Sequence, residues 1–216
     1  KGLITMKLNK LMFREYDIRG IWNEDITEEV SYYIGRAYAT KLLSLKKNKM
    51  IVGYDNRLSS PIIEKNLVKG LTDGGVDVVR VGLVTTPMYY YAWDKLNIHC
   101  GIMITASHNP KEYNGFKMSY NGIHNCFGNE VAELYYIILN GIYSKGNGSI
   151  TDANIKEDYI KMINSHINMG SNKLKVIYDC GNGTTSIVAK DTFVSNDNIE
   201  YIPLFAESDG TFPNHH

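Results

Sequence analysis

The sequence predicts an α/β protein: a mixed β-sheet flanked by helices, followed by an incomplete second unit of similar type. Helical and strand patterns alternate along the 216 residues, the arrangement that puts a sheet between helices. Short apolar runs end at polar loops that lead into the next helix. An Asn121-Gly122 pair after residues 116–120 is a hairpin signal, so antiparallel pairing is expected as well.

Each element follows from local chemistry. Thr27 suits a helix N-cap, with Glu28 and Glu29 in the first turn, where carboxylates favour the positive dipole end. Val30, Ile34 and Ala37, then Leu42 and Leu45, continue that helix's apolar face. Residues 50–54 form a buried strand ending at Asp55, and Ser60-Pro61 reads as cap plus first helical residue. Ile63, Leu67 and Leu71 give the second helix its buried stripe, and Gly74-Gly75 stop it. Residues 76–84 are a strand, 87–96 a tyrosine-rich helix, and 101–105 another apolar strand. Residues 116–124 are the expected hairpin, and 128–139 a helix.

Residues 141–149, rich in Gly, Ser and Asn, read as a loop, so the expected division is 1–148 and 149–216. The second unit begins with a helix near 155–167. A strand over 174–178 ends at Asp179, then come Cys180-Gly181-Asn182-Gly183, a helix from Thr184 and a strand over 199–205. Its strand–Asp–polar loop–helix order repeats that of residues 51–67. Two strands make a poor sheet, so the second unit is expected to be cut short.

Composition excludes several functions. The 23 basic and 23 acidic residues cancel, which argues against a nucleic acid or an acidic membrane as partner. Hydrophobic residues at 44% are enough for a core. No apolar run reaches the ~18–20 residues of a membrane span, and residues 1–10 lack a signal-peptide core. With Met6 inside the chain, residues 1–5 are expected to precede the natural start. Three dispersed cysteines, Cys100, Cys126 and Cys180, fit neither a disulfide framework nor a thiolate zinc site, and a cytoplasmic location is expected.

The chemistry concentrates after residues 102–104. There an apolar strand switches abruptly to Thr105-Ala106-Ser107-His108-Asn109-Pro110, at the end where open α/β sheets bind ligands. A plain polar turn broken by Asn-Pro is the alternative that the residues leave open. If the loop is extended, His108 points away from Ser107 and is poorly placed to deprotonate it. A serine hydrolase elbow also lacks its glycines, because Thr105 and Asn109 occupy those positions. A serine that carries a phosphoryl group needs cationic neighbours, a metal and a proton carrier instead. Lys117, on the strand after Tyr113-Asn114-Gly115-Phe116, is a candidate proton carrier, with Gly115 letting backbone approach a ligand. Arg19 beside Gly20 suits an anion site. An exposed strand lysine and a solvated arginine-rich arm remain the alternatives. Gly181-x-Gly183 lacks a third glycine and reads as a tight turn, not a dinucleotide fingerprint.

FREYDIRG (13–20), GYDNRLSS (53–60), GIMITASHNP (101–110), YNGFK (113–117), DCGNG (179–183) and DGTFPNHH (209–216) together resemble the α-D-phosphohexomutase family, in its phosphomannomutase/phosphoglucomutase branch. The resemblance implies that Ser107 is a phosphoserine that phosphorylates a hexose monophosphate and regains the other phosphoryl group from the bisphosphate. It implies interconversion of hexose 1-phosphate and 6-phosphate, of mannose or glucose. Arg19, Lys117 and His108 are implied as catalytic residues around the serine, Tyr16 and Asn109 as residues shaping its loop, and Arg57 and Ser59 mainly as support. Mg²⁺ is implied, held partly through the phosphate on Ser107. The family's D-x-D-x-D metal loop is missing from these residues, so the chain is expected to be an N-terminal fragment, inactive alone as a mutase. Conversion of a hexose 1-phosphate to its 6-phosphate by the purified 216 residues would refute that. His215-His216 then read as native residues, not a tag. The alternative is a non-catalytic phosphosugar-binding or interaction domain on the same scaffold.

Overall fold

A computed structural model of the chain describes residues 7–122, 124–168 and 170–215. Six strands build one sheet: β1 (Ile18–Ile21), β2 (Lys49–Tyr54), β3 (Asp77–Leu83), β4 (Gly101–Ile104), β5 (Tyr113–Ser119) and β6 (Ile150–Asp152), in the order β1-β5-β4-β2-β3-β6. Around it lie α1 (Glu28–Ser44), α2 (Ser60–Asp73), α3 (Thr86–Leu96), α4 (Asn129–Asn140) and α5 (Lys156–Ser165). Beyond them β7 (Leu174–Asp179), α6 (Ser186–Val194) and β8 (Ile199–Leu204) form a strand–helix–strand unit with a two-stranded parallel sheet.

The hydroxyl cap expected at Thr27 forms, and a second, at Thr85, was not singled out in the sequence. Thr27 accepts from the Val30 amide at 3.1 Å, and Thr85 does the same for Met88 at 3.3 Å. For α2 the cap moves one residue: Ser59 is the N-cap and Ser60 the first helical residue. The Ser60 hydroxyl is committed elsewhere, donating to Asp55 Oδ1 at 2.7 Å.

The sheet is mixed, as expected, but not through Asn121-Gly122. β2, β3, β4 and β6 run parallel, while β5 runs antiparallel to both β4 and β1. Both edges of β5 are therefore occupied, and a strand after Gly122 has nowhere to pair. Instead the Ser119 hydroxyl donates to the His124 carbonyl at 2.8 Å and accepts from the Gly122 amide at 3.0 Å, closing a turn. Ile123, in the expected hairpin, lies outside the described residues, as do residues 1–6 and His216. β6 was not legible: three exposed residues carry no period. It adds parallel to β3 with Arg80 forking onto Asp152 at 2.8 and 3.0 Å, so the first sheet runs past residue 148.

Two cores cover the sheet's faces. Ile18, Val52, Ile102, Ile104 and Phe116 pack under α1, α2 and α4; Ile51, Val81 and Met103 pack under α3 with Ile155 and Val188. Central strands buried on both sides explain why their sequences are continuous apolar runs. α1 and α2 cross at paired glycines. A Cβ on Gly35 would lie 2.3 Å from the Leu67 carbonyl oxygen, and one on Gly70 2.1 Å from that of Tyr32. Backbone cannot rotate away from a new methyl. Gly70→Ala is thus expected to destabilise by about 1–3 kcal/mol, despite alanine's better helix propensity. A urea midpoint at or above that of the wild type would contradict this.

Candidate active site

Parallel strands bring their carboxyl ends to one edge, and the polar loops after β2, β3 and β4 meet there. Asp55, Thr85 and Ser107 all line one cavity of about 630 Å³, completed by Tyr178, Gly183, Thr184 and Phe212. A second cavity of about 570 Å³ lies against the other side of the serine loop, with Asn109, Lys111, Glu112, Gly181 and His215 in its walls. Arg57, Ser107, His108 and Phe212 belong to both.

Ser107 sits where the two cavities join. Its backbone is left-handed (φ 58°), a region that costs an L-residue about 1–2 kcal/mol. The Thr105 hydroxyl holds the turn by accepting from the Ser107 amide at 2.9 Å, and the Ser107 hydroxyl is solvent-exposed. This geometry corrects one expectation. Because Ser107 is not extended, His108 does not point away: its Nδ1 lies 3.4 Å from Ser107 Oγ. That separation exceeds a good O–H···N hydrogen bond, so the pair is adjacent rather than bonded.

Arg57 shapes the loop. Its guanidinium donates to the carbonyls of Pro110 (2.7 Å), Tyr113 (3.0 Å), Ser107 (3.1 Å) and Asn109 (2.7 Å), and its Nε to Asp55 at 3.2 Å. Burial pulls its pKa down, and the Asp55 carboxylate beside it opposes that shift. Asn114, fully buried, donates to Ser59 (2.7 Å) and Ser60 (3.0 Å), tying β5 to the start of α2. Support was expected of Arg57 and Ser59. Four loop carbonyls on one guanidinium were not legible, because acceptors on the main chain leave no mark in sequence.

Arg19 lies on β1 opposite Gly115, in the row that continues to Thr105, whose amide donates to the Gly115 carbonyl. Its guanidinium donates to Asn109 Oδ1 and pairs with Asp17, while its buried Nε has no partner among the described residues. Lys117, opposite Met103 and two residues past Gly115, projects from the same sheet face as Arg19. Its ammonium has no ion pair or hydrogen bond among the described residues. Neither Arg19 nor Lys117 lines the two cavities; Arg19 reaches the loop from the sheet through Asn109. Tyr16 is not gathered in: it is 70% exposed at a hairpin tip. Gly115 also plays a different part than expected. A Cβ there would sit 2.3 Å from the Ile18 carbonyl oxygen, so the close approach is strand to strand, not to a ligand.

Residues of the second unit complete the site. The His215 ring lies 2.8 Å (Nε2) from Asp179 Oδ2, edge-on to Phe205, beside Gly181. Among the described residues no three His, Cys, Asp or Glu side chains form a cation site. The serine loop adds only a hydroxyl, an imidazole and an amide. Mg²⁺ takes an octahedron of oxygens including carboxylates, so this donor set does not by itself make a magnesium site.

Residues 10–141 match the family model described as phosphoglucomutase/phosphomannomutase, alpha/beta/alpha domain I. The chain belongs to this family. The phosphomannomutase/phosphoglucomutase of Pseudomonas syringae pv. tomato is 43% identical over 206 residues, covering 95% of this chain and 43% of that protein. The phosphoglucomutase of Neisseria meningitidis serogroup B is 39% identical over 207 residues, covering 95% and 44%. A solved phosphoglucomutase/phosphomannomutase family protein from Burkholderia thailandensis superposes with a TM-score of 0.91 at 33% identity, over 97% of this chain and 47% of that one. The chain thus spans less than half the length of these family members. Among the described residues no helix is long and apolar enough to cross a membrane.

Proposed function

We propose that the chain is the phosphoserine-bearing part of a phosphohexomutase that interconverts hexose 1-phosphate and 6-phosphate, of mannose or glucose. The observation that supports this most is the placement of Ser107: an exposed residue on a left-handed turn, between two cavities, with the Arg19 guanidinium bonded to Asn109 two residues on. The names of the relatives agree. On this proposal the bond from phosphorus to Ser107 Oγ breaks as one to a sugar hydroxyl oxygen forms. The hydroxyl proton leaves to a base, and Oγ ends protonated. The same step in reverse, with the sugar turned round, regenerates phosphoserine.

Lys117 and His108 are the proposed proton carriers, because one is an unpaired ammonium on the sheet face shared with Arg19 and the other adjoins Oγ. The free Nε–H of Arg19 is a donor for a phosphoryl oxygen. Asn109 orients Arg19, while Tyr16, exposed at its hairpin tip, is given no role in this part of the site. Magnesium, implied by the family, would need carboxylates beyond those around Ser107. On this proposal the two units share the site across their junction, with β6 counted in the first unit, whose sheet it joins past residue 148. A cytoplasmic setting suits three buried cysteines left as free thiols.

Exposure of the whole mutase, of which this chain is proposed to be part, to a hexose 1,6-bisphosphate with Mg²⁺ is the test. A phosphate-sized mass increment on the peptide containing Ser107 is expected. An increment on another residue, or none, would sink the proposal.

A further inference from the structure

The serine loop is held from two directions, and the second hold belongs to the other unit. Asn56, the residue before Arg57, is joined to the second unit by both its backbone and its side chain. Its amide donates to Thr184 Oγ1 at 3.1 Å, and that hydroxyl donates back to Asn56 Oδ1 at 2.9 Å. Its Nδ2 donates to the Asn182 carbonyl at 2.8 Å and to Ser208 Oγ at 3.1 Å. Gly210 presses on the same segment, where a Cβ would lie 2.3 Å from the Asn56 carbonyl oxygen. Phe212 then lays its ring 5.5 Å from the Arg57 guanidinium carbon, within cation–π range.

Phe212 is the unusual part. Its backbone is left-handed, φ 48°, a conformation that is an outlier for a bulky side chain and that glycine adopts freely. Strain of this kind persists where surrounding structure over-determines it, and it collects at functional sites. Here it puts an aromatic face on the one guanidinium that gathers the carbonyls of Ser107, Asn109, Pro110 and Tyr113. The ring also walls both cavities that meet at Ser107.

We propose that Phe212 and Asn56 are positioning residues for the serine loop, acting through Arg57, so that the seat of the second unit decides how Ser107 is presented to a phosphoryl donor. This deepens the function proposed above and rests on it for its meaning in catalysis. Neither residue touches the transferred group. Phe212 lies against the guanidinium itself, and Asn56 anchors the neighbouring backbone to the second unit.

Amide hydrogen exchange in the 216-residue chain reads the loop directly, since the amides of Ser107, Asn109 and Tyr113 are all hydrogen-bonded. In Phe212→Gly, which relieves the backbone and removes the ring together, these amides are expected to exchange about tenfold faster while those of β7 and α6 keep their rates. Phe212→Leu keeps apolar bulk without the aromatic face and should behave the same way. Phe212→Tyr should restore protection, and Asn56→Ala should loosen the same three amides. Unchanged loop exchange in Phe212→Gly and Phe212→Leu would overturn the proposal. Equal acceleration throughout β7 and α6 would also overturn it, because the ring would then merely hold the second unit together. Uptake of phosphate from a hexose 1,6-bisphosphate by the whole wild-type mutase is scored separately. Its failure would remove the catalytic function and leave the exchange result to judge the positioning role.

Discussion

In the whole mutase, Ser107→Ala is expected to leave a folded protein that takes up no phosphoryl group from a hexose bisphosphate, where the wild type does. The hydroxyl makes no hydrogen bond of good length and faces solvent, so its loss removes little from the folded state. Ser107→Gly separates chemistry from conformation. Glycine also lacks the nucleophile, but it occupies φ 58° without the strain of about 1–2 kcal/mol that an L-residue bears there. Part of that gain is lost to the larger unfolded-state entropy of glycine, about 0.4–1 kcal/mol. Ser107→Gly should therefore be equal to the wild type or more stable by about 1 kcal/mol in urea titrations, while also losing phosphate uptake. A glycine variant that still carried phosphate on this loop would show that another residue is the carrier.

Arg57→Ala is expected to have the largest effect on stability. The side chain is only 3% exposed and its Asp55 partner 11%, so the substitution leaves Asp55 Oδ2 without its cation and removes the common donor of four loop carbonyls. Asp55 Oδ1 keeps the Ser60 hydroxyl, and the Pro110 carbonyl keeps the Tyr113 amide. Removing one member of a buried pair costs about 3–5 kcal/mol. The loss should appear as a large drop in urea midpoint together with loss of protection at the 107–113 amides. Arg57→Lys should recover only part of it, because an ammonium has three donors and no planar fork, against five hydrogen bonds made by the guanidinium. Full recovery by lysine would mean that charge alone holds the loop.

Most of the elements were legible, for reasons that lie in particular residues. Thr27 is a hydroxyl at a helix entry, and it caps. Past the exposed Lys49, the runs at β2 and β4 are uncharged because they are buried on both faces. The hairpin expectation at Asn121-Gly122 was overruled by topology, since β5 already had a partner on each side. The cap of α2 slipped by one residue because Ser60 bonds to Asp55 across the loop. Ser107, Asn109 and Arg19 come together as their motifs suggested, yet the Asp17 partner of Arg19 and the walls formed by Phe212 and His215 did not stand out. Nothing in the spacing of residues 19, 57, 107 and 212 says that they meet.

From sequence alone came the alternation of elements, the polar loop at the end of an apolar strand, and the motif set that marks the family. These are local properties: side-chain period, capping chemistry and residue type at a turn. Only the folded chain decided that Ser107 is left-handed, that β5 lies between β1 and β4, and that Arg57 collects four carbonyls under the ring of Phe212. The physical reason is that main-chain acceptors are the same at every residue. Which of them a buried guanidinium satisfies depends on where the backbone passes, and that is settled by packing between segments far apart along the chain.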